Sequence, residues 1–363
     1  MGVYESNFFI CMDGSVMKIL IPVLGFGKSG GDRVLSKLAT ELVNKNHDVI
    51  FVAPKGKSTP YYPTNAKIVA TKQVGKCNKY IDLVFSLYSL WKCCRDLNPD
   101  IVIANFNLTA YIVAFLPRKI KKFYYVQAYE VVFFKSNLIK LCAYISYFLP
   151  LKKIVNHDSL LPKKINNYVS IVPAGIDSCI FYPDFNHGYK KKNTIGIIGR
   201  REKHKGTSDV ISILTNWAGR KDIHLNVAIY LNDVDKRKLE DSGIQFSFFS
   251  IDHDEDLGEF YRKNDLMLAV GLVEDGAFHY PCAESMACGC IVISNYSPLV
   301  NTKSKFKINT FDEHMIIEKL NLFNQLSIPE IENELERNYL EINKITWEKV
   351  GEKLNRTLLD EEC

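Results

Sequence analysis

Short apolar runs alternate along the chain with stretches whose apolar positions recur every three or four residues. Residues 17–24 (MKILIPVL) form the first run and end in Gly25, Gly27, Gly30 and Gly31. That combination predicts a buried parallel strand and a tight turn. Val34, Leu35, Leu38, Leu42 and Val43 then recur at helical spacing, and residues 48–53 (DVIFVA) supply a second strand, completing a β-α-β unit. Apolar runs at 101–104, 122–126, 154–156 and 169–172, with a helical stretch at 81–97, extend the alternation into an open parallel sheet. The charged interval 182–193 (YPDFNHGYKKKN) interrupts the pattern. It resumes with strands at 194–198, 225–230, 244–249, 266–270 and 291–294, and residues 328–359 read as helix. The expected architecture is α/β: an extension over 1–16, a Rossmann-like domain over 17–188, a second over 189–335, and a terminal helix over 336–363 packing back on the first domain. Two such domains in tandem, each with a parallel sheet, are expected to face one another across a cleft.

Length agrees with this division, since 363 residues exceed one ordinary core and suit two. With 47% hydrophobic and 24% charged residues, no tract reads as disordered. The net charge of +5 conceals an asymmetry: residues 1–190 carry 24 Lys and Arg against 12 Asp and Glu, residues 191–363 carry 22 against 29. A basic first half points to an anionic partner, whether nucleic acid, phosphorylated substrate or membrane surface. The ten cysteines are scattered with no paired C-x-x-C elements, and they read as reduced thiols of a cytoplasmic protein that binds no metal. Residues 1–16 lack the basic start and long apolar core of a signal peptide, and the apolar stretch 141–151 is about half a membrane span.

Three patches carry candidate chemistry. Gly25 to Gly30 spell G-x-G-x-x-G between a strand and a helix, the pattern of a dinucleotide-binding turn. A dinucleotide site also needs an acid at the end of the second strand, where this chain has Ala53 and Pro54, so an NAD-binding oxidoreductase or epimerase is the alternative reading. G-R-R-E-K-H-K-G, from Gly199 to Gly206, follows the first strand of the second half. A departing diphosphate needs positive charge and fixed donors, and Arg200 with a planar fork and Lys205 with a mobile ammonium supply both. Finally, Glu284 opens a helix of small residues (ESMACG) before a buried strand, where a carboxylate can take two ribose hydroxyls.

On these patches the chain resembles a glycosyltransferase of family four, with the GT-B fold, over nearly its whole length from Met17. The segments that carry the resemblance are GFGKSGGDRVLSKLATELVNKNHDV, IVPAGIDSCIFYP, IIGRREKHKG and PCAESMACGCIVIS. It implies that Gly30 and Gly31 lie beside donor phosphates and acceptor, that Arg200 and Lys205 hold the diphosphate, and that Glu284 binds the donor ribose. It implies a nucleotide-sugar donor, no metal or other cofactor, and retention of anomeric configuration, the leaving phosphate assisting removal of the acceptor proton. The family pattern has a sugar-binding Glu eight positions before Glu284, and here that position is Gly276, with Glu274 and Asp275 beside it as candidate substitutes.

FYYVQAYEVVFF, from Phe123 to Phe134, resembles the Q-x-x-E segment of rhamnosyltransferase-like enzymes that build bacterial surface polysaccharide and O-antigen. Gln127 and Glu130 are thereby candidate contacts for the acceptor or the transferred sugar, and a deoxysugar such as rhamnose fits the missing acid. Arg118, Lys119, Lys121, Lys122, Lys135, Lys140, Lys152 and Lys153 interleave with Phe, Tyr and Leu. With no nucleic-acid motif present, they suggest peripheral docking on the inner face of a membrane, toward a lipid-linked oligosaccharide acceptor. A non-catalytic adaptor for nucleic acid or membrane is the remaining reading of this basic half.

Overall fold

The computed structural model describes residues 16–72, 78–162, 164–165, 167–184, 189, 193–273 and 275–360. The chain forms two compact units, residues 1–172 with 351–363, and residues 173–350.

In the first unit the run that opens the chain is β1 (Lys18–Pro22), followed by α1 (Gly30–Asn44) and β2 (Asp48–Ala53). Ser29 caps α1 by accepting from Asp32 N at 3.2 Å, and the helix buries Val34, Leu35, Leu38 and Leu42 of the stripe its spacing predicted, with Ala39 buried beside them and Val43 half-buried. Then come β3 (Lys67–Ala70), α2 (Lys79–Asp96), β4 (Ile101–Ala104), α3 (Asn107–Ala114), β5 (Lys121–Val126), α4 (Asn137–Ser146), β6 (Lys152–Val155) and β7 (Tyr168–Ile171). The seven strands are parallel in the order β3-β2-β1-β4-β5-β6-β7. The order reverses direction between β1 and β4, so the loops after these two strands meet at a switch point. Strand β3 escaped the sequence reading because it is a short, largely exposed edge of four residues, KIVA, without the longer apolar run of a buried strand.

The second unit repeats the plan with β8 (Thr194–Ile198), α5 (Thr207–Asn216), β9 (His224–Ala228), α6 (Asp233–Ser242), β10 (Gln245–Phe249), α7 (Asp254–Arg262), β11 (Leu266–Leu268), α8 (Tyr280–Ala287), β12 (Ile291–Ile293) and α9 (Glu313–Gln325). Its strands are parallel in the order β10-β9-β8-β11-β12, which puts the switch point at β8. Strands β11 and β12 are three residues each and wholly buried, which is why they read as uninterrupted apolar runs.

Two boundaries differ from the sequence reading. The division at 188/189 follows the charged interval, whereas the compact units part at Val172 and Pro173. Tertiary bonding draws residues 173–184 into the second unit: Arg262 Nη1 donates to Ile180 O at 3.1 Å, and Phe181 packs on Tyr261. The helical tract 328–359 is broken into α10 (Ile328–Ile342) and α11 (Trp347–Leu359). The break serves a short backbone ladder, in which Ile176 N donates to Ile345 O at 2.9 Å and Trp347 N to Ile176 O at 3.1 Å. From Gly351 onward α11 belongs to the first unit. There Gly351 lies against Glu41 of α1 and Asn355 bonds His47 Nε2 at 2.6 Å.

Candidate functional site

The switch point of the second unit is built from three loops at the carboxyl ends of β8, β11 and β12. After β8 the chain passes Gly199, whose N–H donates to Ala228 O at 2.9 Å. A Cβ on Gly199 would stand 1.7 Å from Tyr230 O, so this close approach of two backbones admits only glycine. Arg200 N donates to Thr207 Oγ1 at 2.9 Å, closing residues 200–207 into a tight loop around a 3-10 turn at Lys203–Lys205. Gly206 ends that turn at φ 73°, a left-handed conformation suited to glycine, and begins α5. The Arg200 side chain is exposed and Lys205 is half-buried.

The loop from β11 to α8 is laced to the exit of β12. Asn295 accepts from Gly271 N at 3.1 Å and donates to Gly271 O at 2.8 Å and to Asp275 Oδ1 at 2.6 Å. Gly276 N donates to Asn295 O at 2.8 Å, and Tyr296 OH to Val273 O at 2.8 Å. Leu272 N donates to His204 O at 3.1 Å, fastening this loop to the one that carries Arg200 and Lys205.

Helix α8 starts earlier than the sequence suggested. His279 is its N-cap and Pro281 sits in its first turn, so Glu284 lies one turn inside the helix instead of opening it. Glu284 is 2% exposed and accepts from Tyr261 OH at 3.0 Å. Burial and the Glu284 carboxylate hold the Tyr261 phenol well above its usual range, while the charge of Arg200 pulls it down. His279 was missed by sequence reasoning. Its Nδ1 is enclosed without a hydrogen-bond partner, and its ring lies 4.4 Å from that of Tyr296. Burial, then the charges of Lys205 and Arg200, push its imidazole down to about 3, so it is neutral at physiological pH. Arg200, Lys205, His279, Tyr261 and Glu284 thus share one electrostatic neighbourhood at the strand ends.

Of the acid candidates, Glu274 lies outside the described residues. Gly276 is at φ 78° with open space on the side where a Cβ would point. The Asp275 carboxylate, beside it, is taken by Asn295. Among the described residues no group of three or more His, Cys, Asp and Glu is placed to hold a metal ion.

In the first unit Gly30 and Gly31 open α1, and a Cβ on Gly31 would stand 3.4 Å from Gln127 Oε1, so the glycine turn and Gln127 adjoin. The carboxylate of Asp32 fills the mouth of this turn. Ser29 Oγ donates to its Oδ2 at 2.5 Å, and that oxygen would be 3.0 Å from a Cβ on Gly27. A negative side chain there opposes a pyrophosphate and leaves hydroxyl groups as the better fit. Glu130 does not join Gln127 at the surface. It is 3% exposed and accepts from Asn107 N and Tyr124 OH, both at 2.7 Å, so it caps α3 from below. Burial raises its carboxyl to about 7 against the lowering effect of those two bonds.

No protein-family model and no curated protein sequence matches the chain. Solved structures do. A glycosyltransferase from Rickettsia africae superposes with a TM-score of 0.69 at 14% identity, over 96% of this chain and 100% of that one. HepE of Anabaena, in complex with UDP and glucose, gives 0.68 at 10%, over 94% and 99%. WaaB, a lipopolysaccharide outer core galactosyltransferase in its apo form, gives 0.69 at 15%, over 94% and 99%. The fold is GT-B. The match covers 94–96% of the chain, so it takes in both units.

Proposed function

We propose that the chain is a glycosyltransferase that moves a sugar from a nucleoside diphosphate to a saccharide acceptor. One observation carries this reading. Arg200 and Lys205 stand on a loop fixed by Gly199 and Gly206, at the switch point of the second sheet, in the same electrostatic neighbourhood as buried Glu284. The bond between the anomeric carbon and the diphosphate oxygen breaks as one to the acceptor oxygen forms, and charge accumulates on the leaving diphosphate. Two cations on a rigid loop meet that charge without reorganisation. Glu284, oriented by Tyr261, takes the ribose hydroxyls. The acceptor proton passes to the departing phosphate, so the configuration is retained and neither a metal nor a protein base is required. Two GT-B neighbours, one solved with UDP and glucose and one a galactosyltransferase, support the donor class.

In the finer assignment the chain is a family-four, rhamnosyltransferase-like enzyme of surface polysaccharide or O-antigen synthesis. The donor is a deoxysugar nucleotide, and a lipid-linked oligosaccharide is met at a membrane surface. Gly30, Gly31 and Gln127 contact the acceptor side. The open space at Gly276 fits a sugar with fewer hydroxyls to satisfy.

Thermal unfolding with UDP-, GDP- and dTDP-sugars tests this directly. A ligand at a hundred times its dissociation constant adds about 2.7 kcal/mol. One nucleotide class should stabilise the protein, in EDTA as well as in magnesium. Stabilisation by NAD alone, or by no nucleotide sugar, overturns the reading.

A further inference from the structure

Helix α4 is inside out. A surface helix normally turns its apolar stripe to the core. Here Leu138, Leu141, Cys142, Ile145 and, just beyond the helix, Phe148 recur at helical spacing and are exposed, Leu138 at 71% and Phe148 at 54%. The opposite face is the anchored one. Tyr147 is buried between the rings of Tyr124 and Tyr129 and accepts from Glu130 N at 2.8 Å, while Tyr111 of α3 donates to Cys142 O at 2.7 Å. The apolar stripe is therefore held outward by a fixed scaffold. Exposed Val132 and Phe133, on the 3-10 turn before α4, extend it.

The charge around the stripe has one sign. Residues 131–157 contain Lys135, Lys140, Lys152 and Lys153 and no Asp or Glu. At the C-terminal end of α4, Phe148 also lines a cavity of about 950 Å³ with Lys152, Lys153, Lys164 and Tyr168. The cavity lies at the amino ends of β6 and β7, the opposite strand ends from those that carry Gln127. The structure also revises which cations count. Lys122 Nζ is tied to Ala114 O and Leu116 O, Lys119 to Asn98, and Lys153 is buried against Leu151 O. Phe123, Tyr124 and Tyr125 are core residues of β5. Of the basic stretch that the sequence marked, the part around Lys135, Lys140 and Lys152, on α4 and the cavity at its end, is therefore the exposed basic and apolar surface, and the part around β5 is not.

We propose that α4 and the preceding 3-10 turn form an interfacial docking face for an anionic lipid bilayer. The stripe of Leu138, Leu141, Ile145 and Phe148 enters the acyl boundary, and Lys135, Lys140 and Lys152 meet lipid phosphates, with the cavity receiving a headgroup. Apolar burial and attraction to anionic lipid add together in such a face. The inference rests on the transferase reading only for its purpose, which is to bring the enzyme to a lipid-linked acceptor.

The test is flotation of the full chain with phosphatidylcholine vesicles and with vesicles in which roughly one third of the lipid is phosphatidylglycerol. The wild type should float with the anionic vesicles, stay behind with the neutral ones, and detach as salt rises. Leu138→Glu with Leu141→Glu, at exposed positions, should lower partitioning by about tenfold or more. Lys135→Glu with Lys140→Glu should do the same without touching the apolar stripe. The proposal is overturned if the wild type does not float, or if both variants float as it does. A dimer in solution that the leucine variant dissociates also overturns it, because the stripe then covers a second copy. Nucleotide-sugar stabilisation measured on the same samples separates the two readings. Stabilisation without flotation removes the docking face alone, and flotation without stabilisation removes the transferase reading alone.

Discussion

At the scale of single residues, the chain uses charge in two opposite ways. Arg200 and Lys205 are held on a loop closed by the bond from Arg200 N to Thr207 Oγ1 and tied to its neighbour by Leu272 N on His204 O. Replacing either with Ala should lower kcat/KM by about 10² to 10³, the range seen when a fixed donor to a developing negative charge is lost. Circular dichroism and melting should be nearly unchanged, because neither side chain is buried. Glu130 is the reverse case, a carboxylate spent on the fold. Its folded value of about 7 lies above its ordinary 4.5, so the protonated form is favoured by folding. The associated stability is fully present below pH 4.5 and is lost as pH rises through 7. Glu130→Gln keeps partners for Asn107 N and Tyr124 OH and removes that dependence. Between pH 5 and pH 8 the wild type should lose about 2 kcal/mol relative to the variant in urea titrations.

Among elements, the loop from β8 to α5 shows how a short sequence fixes a site. Gly199 lets β8 run against Tyr230, and Gly206 turns the chain into α5. Gly199→Ala must push the two backbones apart, at a cost of about 1–3 kcal/mol. Because Arg200 follows directly, nucleotide affinity should fall together with the melting temperature, which parallel melting and titration would show. A variant that melts lower but binds UDP as before would separate the loop from the site. The glycine turn before α1 looks alike in sequence but differs in chemistry, since the Asp32 carboxylate occupies the place an anion would take. The G-x-G-x-x-G spelling could not disclose this, because an acid three residues into a helix serves equally well as a capping partner.

For the whole molecule, the last helix is the long-range feature. Leu354 and Leu358 are buried within the first unit, although the chain reaches them only after completing the second. Leu358→Ala should cost about 2–5 kcal/mol, the usual range for a large-to-small core substitution. Calorimetry should register the loss, with nucleotide binding retained because Leu358 lies outside the unit that carries Arg200 and Lys205. A loss of nucleotide binding without loss of stability would contradict this assignment of α11.

The chain's own pattern determined the α/β class, the strands of both sheets except edge β3, and the glycine and basic patches at the strand ends. Buried parallel strands are continuous apolar runs and crossover helices carry a 3.6-residue stripe, so both are local signals. Only tertiary structure decided the rest. The break between α10 and α11 answers to residue 176, far away in the chain, and the division of the units follows bonds such as Arg262 to Ile180. Glu130 became a buried cap because β5 and α3 enclose it, and His279 became a candidate because burial leaves its Nδ1 without a partner. In α4 the sequence displays an apolar stripe, but which way the stripe faces depends on where Tyr147 is anchored. Periodicity reports that a helix has two faces, and only packing assigns one of them to the core.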